Sequence, residues 1–310
     1  MTTTTAPPSA PVEVRPGRAR RRTSTSAPKA ARIGAFVPAL ALLGVFFAGP
    51  LLWAVYSAFT NVALTGAAQV DFVGLDNFKQ MVQDGQFWNS LLLTLVFVVG
   101  SAVIGQNTLG LLIALLLRGR SKTARAVVSG LVIAAWTVPE TVAAFCWYSF
   151  LHPGGTLDGI LGWVGLSQNW LYTTPMLAVI LANVWRGTAF SMLVYQAALN
   201  DVPPELQEAA SVDGASVWQR LRYVTIPLIR RSIVSNLMLI TLQTLAAFGL
   251  IYVMTKGGPG TKSQTTPIYM YQESFQFYNL GYGTAMALVL LLIGAIFSLI
   301  YVRLIKVEDL

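Results

Sequence analysis

The sequence has few of the residues from which most catalytic and metal sites are built. It contains one cysteine, Cys146, and one histidine, His152. A single cysteine cannot form a disulfide within the chain, and an isolated histidine does not make a zinc site. The H-E-x-x-H motif of metalloproteases and the G-x-S-x-G motif of serine hydrolases are both absent. These absences argue against a metalloprotease or a serine hydrolase.

Charged residues are also scarce. They make up 11% of the chain, against roughly a quarter of a soluble domain, and 55% of the residues are hydrophobic. Apolar runs that reach the roughly 20 residues needed to cross a bilayer lie near 33–59, 88–117, 126–151, 174–199, 232–254 and 283–305. Because these runs are continuous and do not alternate, a transmembrane β-barrel is disfavoured. The sequence therefore predicts an all-α membrane protein with six transmembrane helices.

The placement of basic residues predicts the orientation of these helices. Arginine and lysine crowd residues 1–32, 118–125 and 220–231, whereas residues 152–173 contain neither. By the positive-inside rule, both termini are expected to be cytoplasmic. This topology explains the net charge of +8 without a nucleic-acid partner. The first apolar run is too long for a signal peptide, so we expect it to be retained as a span.

The same composition divides the chain into two parts. Residues 1–32 are rich in threonine, proline, alanine and arginine and lack the apolar content to fold, so they are expected to form a disordered basic cytoplasmic arm. Residues 33–310 are expected to form one six-helix transmembrane domain. Within it, the polar segment 203–227 separates the fourth and fifth runs. A short helix is expected from about Pro203 to Asp213–Gly214, and a second amphipathic piece is expected to end at Pro227.

Periodicity alone would allow the 203–227 segment to be a hairpin on the membrane surface, but its residues are more specific. The stretch EAASVDGASVWQRLRYVTIP (208–227) resembles the EAA loop of the membrane subunits of binding-protein-dependent ABC importers. Other blocks resemble carbohydrate-importer permeases of the maltose-transporter type: FVGLDNF (72–78), FLHPGGTLDGIL (150–161), ANVWRGTAF (182–190), VPPELQEAASVDGA (202–215) and FGLIYVMTKGGPG (248–260). The resemblance covers almost the whole chain after residue 33. It implies the type I ABC importer permease fold and a multi-pass location in the bacterial inner membrane.

The resemblance also implies partners. These are a second homologous permease subunit that completes a heterodimer, two cytoplasmic ATPase subunits, an extracytoplasmic substrate-binding protein and the surrounding membrane lipid. The loop would dock on an ATPase subunit through the residues that match the family motif: Glu208, Ala209, Ala210, Asp213, Gly214 and Ala215. The segment KGGPGTKSQTT (256–266) lacks the spacing of a phosphate-binding loop. We therefore expect no cofactor in this chain, with ATP and Mg²⁺ bound by the ATPase, and a transport subunit that is not an enzyme.

Two charged side chains lie near the middle of predicted spans, Glu140 in the third and Arg186 in the fourth. Charges at that depth are costly, so they either pair with each other or belong to a functional site. Asn183, Arg186, Gly187 and Phe190 share one helical face, as do Ile240, Gln243, Thr244 and Ala247. In the maltose-type permeases the matching positions line the sugar site.

The substrate is less defined than the architecture. Amide and aromatic side chains suit a carbohydrate, but Arg186 stands where the maltose permease has an aliphatic residue, and Thr244 and Ala247 stand where it has amides. These departures disfavour maltose itself. They leave open another oligosaccharide, an amino or acidic sugar, or a sugar phosphate such as glycerol 3-phosphate. A self-sufficient secondary transporter is a further alternative, which the EAA resemblance disfavours.

Overall fold

The computed structural model of the protein describes residues 29–65, 70–163, 165 and 168–306. Within these residues the regular secondary structure is helical, apart from one antiparallel bridge between Thr60 and Phe72. Most of the predicted N-terminal arm lies outside the described residues, and its last four residues belong to the first helix. The all-α prediction is therefore confirmed for the described part of the chain.

The helices follow one another along the chain with short connections. In order they are α1 (Lys29–Leu43), α2 (Gly49–Ala58), α3 (Asp76–Gln83), α4 (Gly85–Leu117), α5 (Lys122–Thr137), α6 (Glu140–Leu151), α7 (Thr156–Gly162), α8 (Trp170–Thr173), α9 (Pro175–Asn200), α10 (Pro204–Val212), α11 (Val217–Leu245), α12 (Gly249–Thr255), α13 (Thr266–Tyr271) and α14 (Leu280–Lys306). Short π-helical stretches follow α1 and α13, over Gly44–Ala48 and Gln272–Gln276.

Among the residues that the structure describes, five continuous stretches are long and apolar enough to cross a membrane: Phe36–Ala58, α4, α9, α11 and Leu280–Ile305 within α14. A sixth candidate is the pair formed by α5 and Glu140–Gly162, whose two halves are bent by 101°. The prediction of six spans is thus confirmed, with the third of them broken.

The break in the third span corrects the predicted continuous helix over 126–151. Val138 and Pro139 have extended backbone between α5 and α6. Proline lacks the N–H that a helix needs and disfavours helical backbone in the residue before it. Glu140 is consequently the first residue of α6 and not a residue in the middle of a helix.

The fifth span also differs from its predicted bounds, 232–254. The second piece of the loop is continuous with the span, so that α11 begins at Val217, where Ser216 and Gln219 form a capping box. The helix ends at Leu245, and residues 249–255 form the separate helix α12. The apolar run therefore contains two helices, joined by residues 246–248.

The chain divides into two compact units, Met1–Pro50 and Leu51–Leu310. In the second unit, one apolar cluster joins α4, α6, α9 and α12 through side chains such as Phe97, Leu151, Val179 and Leu250. A second cluster lies nearer α10 and joins α4, α9 and α11. The polar stretch of α9 between the two clusters, residues 183–190, faces a cavity.

Candidate functional site

A cavity of about 280 Å³ lies between the two apolar clusters. Its walls come from α4, α5, α6, α9, α11 and the start of α12. The lining residues are Gln106, Trp136, Glu140, Asn183, Arg186, Gly187, Phe190, Ile240, Gln243, Thr244, Ala246, Ala247, Phe248, Gly249 and Leu250. All the residues predicted for the substrate path, which come from three separate segments of sequence, are thus brought together around one cavity.

Several lining residues were not predicted. Gln106 is a polar side chain, 4% exposed, within the second span, and a polar residue inside an apolar span is a signal that sequence reasoning could have used. Trp136 and Phe248 reach the cavity because α5 and α11 each end beside it. No periodicity in the sequence predicts where those helices end.

Gly187 makes room for the Gln106 side chain. A Cβ atom on Gly187 would lie 2.3 Å from Cδ of Gln106, which is closer than any two such atoms approach. Gln106 Nε2 donates a hydrogen bond to the Asn183 carbonyl at 3.2 Å, and Asn183 Nδ2 donates to Ser101 Oγ at 3.0 Å. The amide of Asn183 is therefore held by α4, and the missing side chain at position 187 serves packing between α4 and α9.

Glu140 is engaged by the backbone of α12. Its Oε1 accepts a hydrogen bond from the Leu250 N–H at 2.8 Å. A Cβ on Gly249 would come within 3.1 Å of the same oxygen. Glu140 thereby ties the break in the third span to the break after the fifth.

Arg186 has no such partner. Its Nε is buried and makes no hydrogen bond, and Glu140 and Arg186 do not form an ion pair in the structure. The interpretation of these two residues as a buried structural pair therefore has no support in the geometry. A cationic donor on the wall of an open cavity is left available for a ligand.

An aromatic pair closes one side of the cavity. The rings of Trp136 and Phe190 have centroids 6.2 Å apart and are tilted by 43°. Aromatic faces next to amide and guanidinium donors can pack against the apolar face of a ring-shaped, hydroxyl-bearing ligand while the donors bind its oxygen atoms.

The 203–227 segment forms a rigid turn between two helices. Gly214 has φ +78°, a left-handed conformation that favours glycine, and the Ala215 N–H donates to the Ala210 carbonyl at 3.0 Å. Gln207 Nε2 donates to Thr225 Oγ1 at 2.9 Å and ties α10 to α11. The predicted helix, its end and its glycine turn are confirmed.

This segment also presents an exposed surface. Glu208, Ala209, Asp213 and Gly214 are exposed, and Ala210 and Ala215 are half-buried. Among the neighbouring apolar side chains, Val212 is 87% and Trp218 69% exposed. Exposed apolar residues beside a carboxylate and small residues are typical of a surface that binds another protein.

A carboxylate organises the start of α4. Asp84 Oδ2 accepts hydrogen bonds from the hydroxyls of Tyr269 at 2.5 Å and Tyr282 at 2.7 Å, and Asp84 Oδ1 accepts one from the Gln86 N–H at 2.8 Å. Burial alone would raise the pKa of Asp84, but these hydrogen bonds outweigh it, so the pKa is lowered. Burial and the bond to Asp84 raise the pKa of Tyr269. This cluster fixes α4, α13 and α14 together.

No group of histidine, cysteine, aspartate or glutamate residues suited to a metal ion occurs in the part of the chain that the structure describes.

Comparison with solved structures identifies the fold. A bacterial ABC transporter that imports the acidic polysaccharide alginate superposes with a TM-score of 0.77 at 24% identity, over 90% of this chain and 96% of the other. The MetNI methionine ABC transporter, in an inward-facing conformation, superposes with a TM-score of 0.52 at 18% identity, over 75% of this chain and 98% of the other.

Sequence comparison is more specific. The chain is 33% identical to the sulfoquinovosyl glycerol transport system permease protein SmoG of Agrobacterium fabrum, over 88% of this chain and 89% of the relative. It is 33% identical to the trehalose/maltose transport system permease protein MalF of Thermococcus litoralis, over 86% of this chain and 90% of the relative. It is 32% identical to the trehalose transport system permease protein SugA of Mycobacterium tuberculosis, over 86% of each chain.

Residues 106–306 match the family described as the binding-protein-dependent transport system inner membrane component. The matched region contains the cavity residues from Gln106 to Leu250 and the whole 203–227 segment. The relatives are permease subunits, which are transport components and not enzymes. The chain therefore belongs to the family of inner membrane components of binding-protein-dependent ABC transport systems, as a multi-pass permease.

Proposed function

We propose that the protein is a permease subunit of an ATP-driven importer of a sugar or related carbohydrate. The observation that carries this proposal is the cavity between α4, α9 and α11, which combines amides, a guanidinium and an aromatic pair. Amides and guanidinium groups bind hydroxyl oxygens, and aromatic rings pack against sugar rings. Relatives that are at least 30% identical are named for trehalose, maltose and sulfoquinovosyl glycerol.

The second part of the proposal concerns energy coupling. The exposed helix α10 and its Gly214 turn dock on a cytoplasmic ATPase subunit, with Glu208 as the polar contact. Because Gln207 ties α10 to Thr225 of α11, a displacement of the docked helix moves α11 as well. Closure of the ATPase around ATP thereby shifts the cavity between inward- and outward-facing states.

The cavity is expected to be completed by other protein subunits. At about 280 Å³ it lies at the small end of ligand sites, which hold about 300–1,000 Å³, and Gln243 on its wall is exposed. An exposed amide at membrane depth needs a protein or water neighbour. We infer that a second homologous permease completes the site, that two ATPase subunits bind ATP and Mg²⁺, and that an extracytoplasmic binding protein delivers the substrate. Both termini lie in the cytoplasm.

A sugar phosphate is the second candidate substrate. The buried Nε of Arg186 has no partner in the structure, and a guanidinium binds a phosphate oxygen through a strong, charge-assisted hydrogen bond. Glu140 on the same wall repels an anion, and this favours the neutral carbohydrate.

The test is a panel of neutral sugars, acidic sugars, sugar phosphates, amino acids and short peptides. Each is presented to the partner binding protein, and binding is followed by thermal shift. The ligand that binds is then added to the reconstituted complex, and ATP hydrolysis is measured. A neutral or acidic sugar that stimulates hydrolysis supports the sugar importer, whereas glycerol 3-phosphate as the only stimulating ligand supports the second candidate. Stimulation by amino acids or peptides alone would refute both.

A further inference from the structure

A polar cluster inside the membrane domain lies directly below the cavity, on the side toward α10. Asn236 of α11 is fully buried, and its Nδ2 donates hydrogen bonds to Ser191 Oγ at 3.1 Å and to Tyr195 OH at 3.0 Å. Tyr195 OH donates to Asn107 Oδ1 of α4. Four side chains on three spans therefore form one network, which we call the Asn236 cluster.

On each of the three helices, the cluster residue lies close in sequence to a cavity residue and is displaced toward the end of the helix nearer α10. Asn107 comes directly after Gln106, Ser191 comes four residues after Gly187, and Asn236 comes four residues before Ile240. Residues four apart on a helix are neighbours on one face and are separated by about 6 Å along the axis. The Asn236 cluster is thus the floor of the cavity.

Close packing makes this floor rigid. A Cβ on Gly110 would lie 2.4 Å from Cβ of Ser191, so the backbones of α4 and α9 touch at this level. Ser191 and Tyr195 are fully buried, like Asn236. Immediately beyond the cluster, Ala114, Leu199 and Ile229 form the apolar cluster nearest α10.

Burying polar side chains at this level of the membrane domain has a cost in free energy. A buried amide in a membrane domain costs free energy unless it is hydrogen-bonded, and an apolar residue of the same size would fill the space without that cost. The Oδ1 of Asn236 has no hydrogen-bond partner in the structure. Packing alone therefore does not account for an asparagine at this position.

We propose that Asn236 is a positioning residue for energy coupling, which locks α4, α9 and α11 into one block between the docking helix and the cavity. This inference rests on the proposed coupling function. The block begins at the Gln207–Thr225 hydrogen bond, continues through the apolar cluster around Leu199, and ends at the Asn236 cluster beneath Gln106 and Gly187. A displacement of α10 is then transmitted to the cavity wall, because α4, α9 and α11 move together and do not slide past one another.

The experiment uses a reporter that does not require the substrate to be known. In the complete importer, Cys146→Ser removes the chain's only cysteine, and Ala246→Cys places a thiol on the exposed wall of the cavity. The rate of reaction with a water-soluble maleimide is measured with and without ATP and Mg²⁺. We expect nucleotide to change this rate by at least about fivefold, the lower range of typical coupling between sites.

Asn236→Leu keeps the number and branching of the side-chain heavy atoms and removes the amide. We expect the nucleotide-dependent change in labelling to fall to less than about twofold, while the ATPase subunits still hydrolyse ATP. Ser235→Ala, at the adjacent and only half-buried position, is the matched control and should behave as the parent. Tyr195→Phe, which loses one oxygen atom, should reduce the nucleotide-dependent change in labelling as much as Asn236→Leu does. The double variant should show no larger reduction than either single variant, because both residues belong to one network.

An Asn236→Leu complex that assembles and keeps the full nucleotide-dependent change would overturn the proposal, since the amide would then be merely structural. If that variant does not assemble, Tyr195→Phe decides by the same criterion. If nucleotide does not change the labelling rate of the parent complex, the proposed coupling function itself is refuted. That result differs from a loss of the change in the variants alone, which concerns only the Asn236 cluster.

Discussion

The Glu140 carboxylate accepts a hydrogen bond from the Leu250 N–H at 2.8 Å, although the two residues are 110 positions apart. This bond joins α6 to α12, the helices that follow the breaks in the third and fifth spans. Both breaks border the cavity, so the bond holds two walls of the cavity on the side away from α10. Discontinuous helices around a substrate site are typical of membrane transporters.

Glu140→Ala should weaken this junction more than Glu140→Gln. Glutamine keeps an oxygen that can accept from Leu250, whereas alanine leaves the Leu250 N–H without its partner, at a cost of about 1–3 kcal/mol. We expect the alanine variant to lower the melting temperature of the purified complex and the glutamine variant to change it much less. Equal melting temperatures for both variants would contradict the role of this hydrogen bond.

Because no ion pair joins Glu140 and Arg186, their substitutions should act independently. Arg186→Ala is expected to reduce substrate uptake, and the double variant Glu140→Ala/Arg186→Ala should show no rescue in a double-mutant cycle. Uptake is measured in proteoliposomes that contain equal amounts of complex. Recovery of uptake in the double variant would show instead that the two residues form a pair.

Gly187→Ala should perturb the cavity through Gln106. The added Cβ displaces the Gln106 amide, and overpacking of this kind costs about 1–3 kcal/mol. We expect reduced uptake in the single variant and partial recovery in Gly187→Ala/Gln106→Ala, where the space is restored. If the second substitution brings no recovery, steric conflict with Gln106 is not the cause.

Gly214→Ala tests the turn of the docking segment. Nothing lies within 4 Å of a Cβ at this position, so the cost is only that of the left-handed backbone, about 1–2 kcal/mol. We expect weaker coupling, measured as sugar transported per ATP hydrolysed. Gly130→Ala, at an exposed position in α5 with equal open space, is the control and should be neutral. Identical behaviour of the two variants would contradict the account of the turn.

Asp84 predicts a pH dependence. Its pKa in the folded protein lies below the ordinary value of 3.8, so its contribution to stability is present above 3.8 and is lost as the pH falls from 3.8 through the lower pKa of the folded state. Asp84→Asn should lower the melting temperature at pH 7, and the difference in melting temperature between parent and variant should shrink as the pH falls below 3.8. An unchanged difference between parent and variant across this range would contradict the assignment.

The features predicted correctly from the sequence are those with local causes. The end of α10 depends on Gly214, and the residues of the α9 face depend on helical spacing alone. Pro139 was a local signal for the break in the third span, but the continuous apolar run on both sides concealed it. The end of α11 at Leu245 has no proline or glycine to mark it, since it depends on how α12 packs against α6.

The buried polar residues could not be assigned roles from sequence for a different reason. In the sequence, each of Asn107, Ser191, Tyr195 and Asn236 is a polar residue within an apolar run, with nothing to connect it to the other three. Their relationship arises from the packing of three helices, which places residues up to 129 positions apart in contact. Periodicity within one helix carries no information about that pairing.

ATP-driven uptake of radiolabelled sugars by the complete importer in proteoliposomes, compared between the parent, Glu208→Lys and Glu205→Lys, tests whether the chain is a permease coupled to an ATPase through α10. We expect uptake by the parent to require ATP and the binding protein. We expect a loss of at least about tenfold with Glu208→Lys, because the reversed charge opposes docking, and near-normal uptake with Glu205→Lys, which makes the same charge change in the first turn of α10. Undiminished uptake by Glu208→Lys, or uptake without ATP, would show that transport is not coupled in this way.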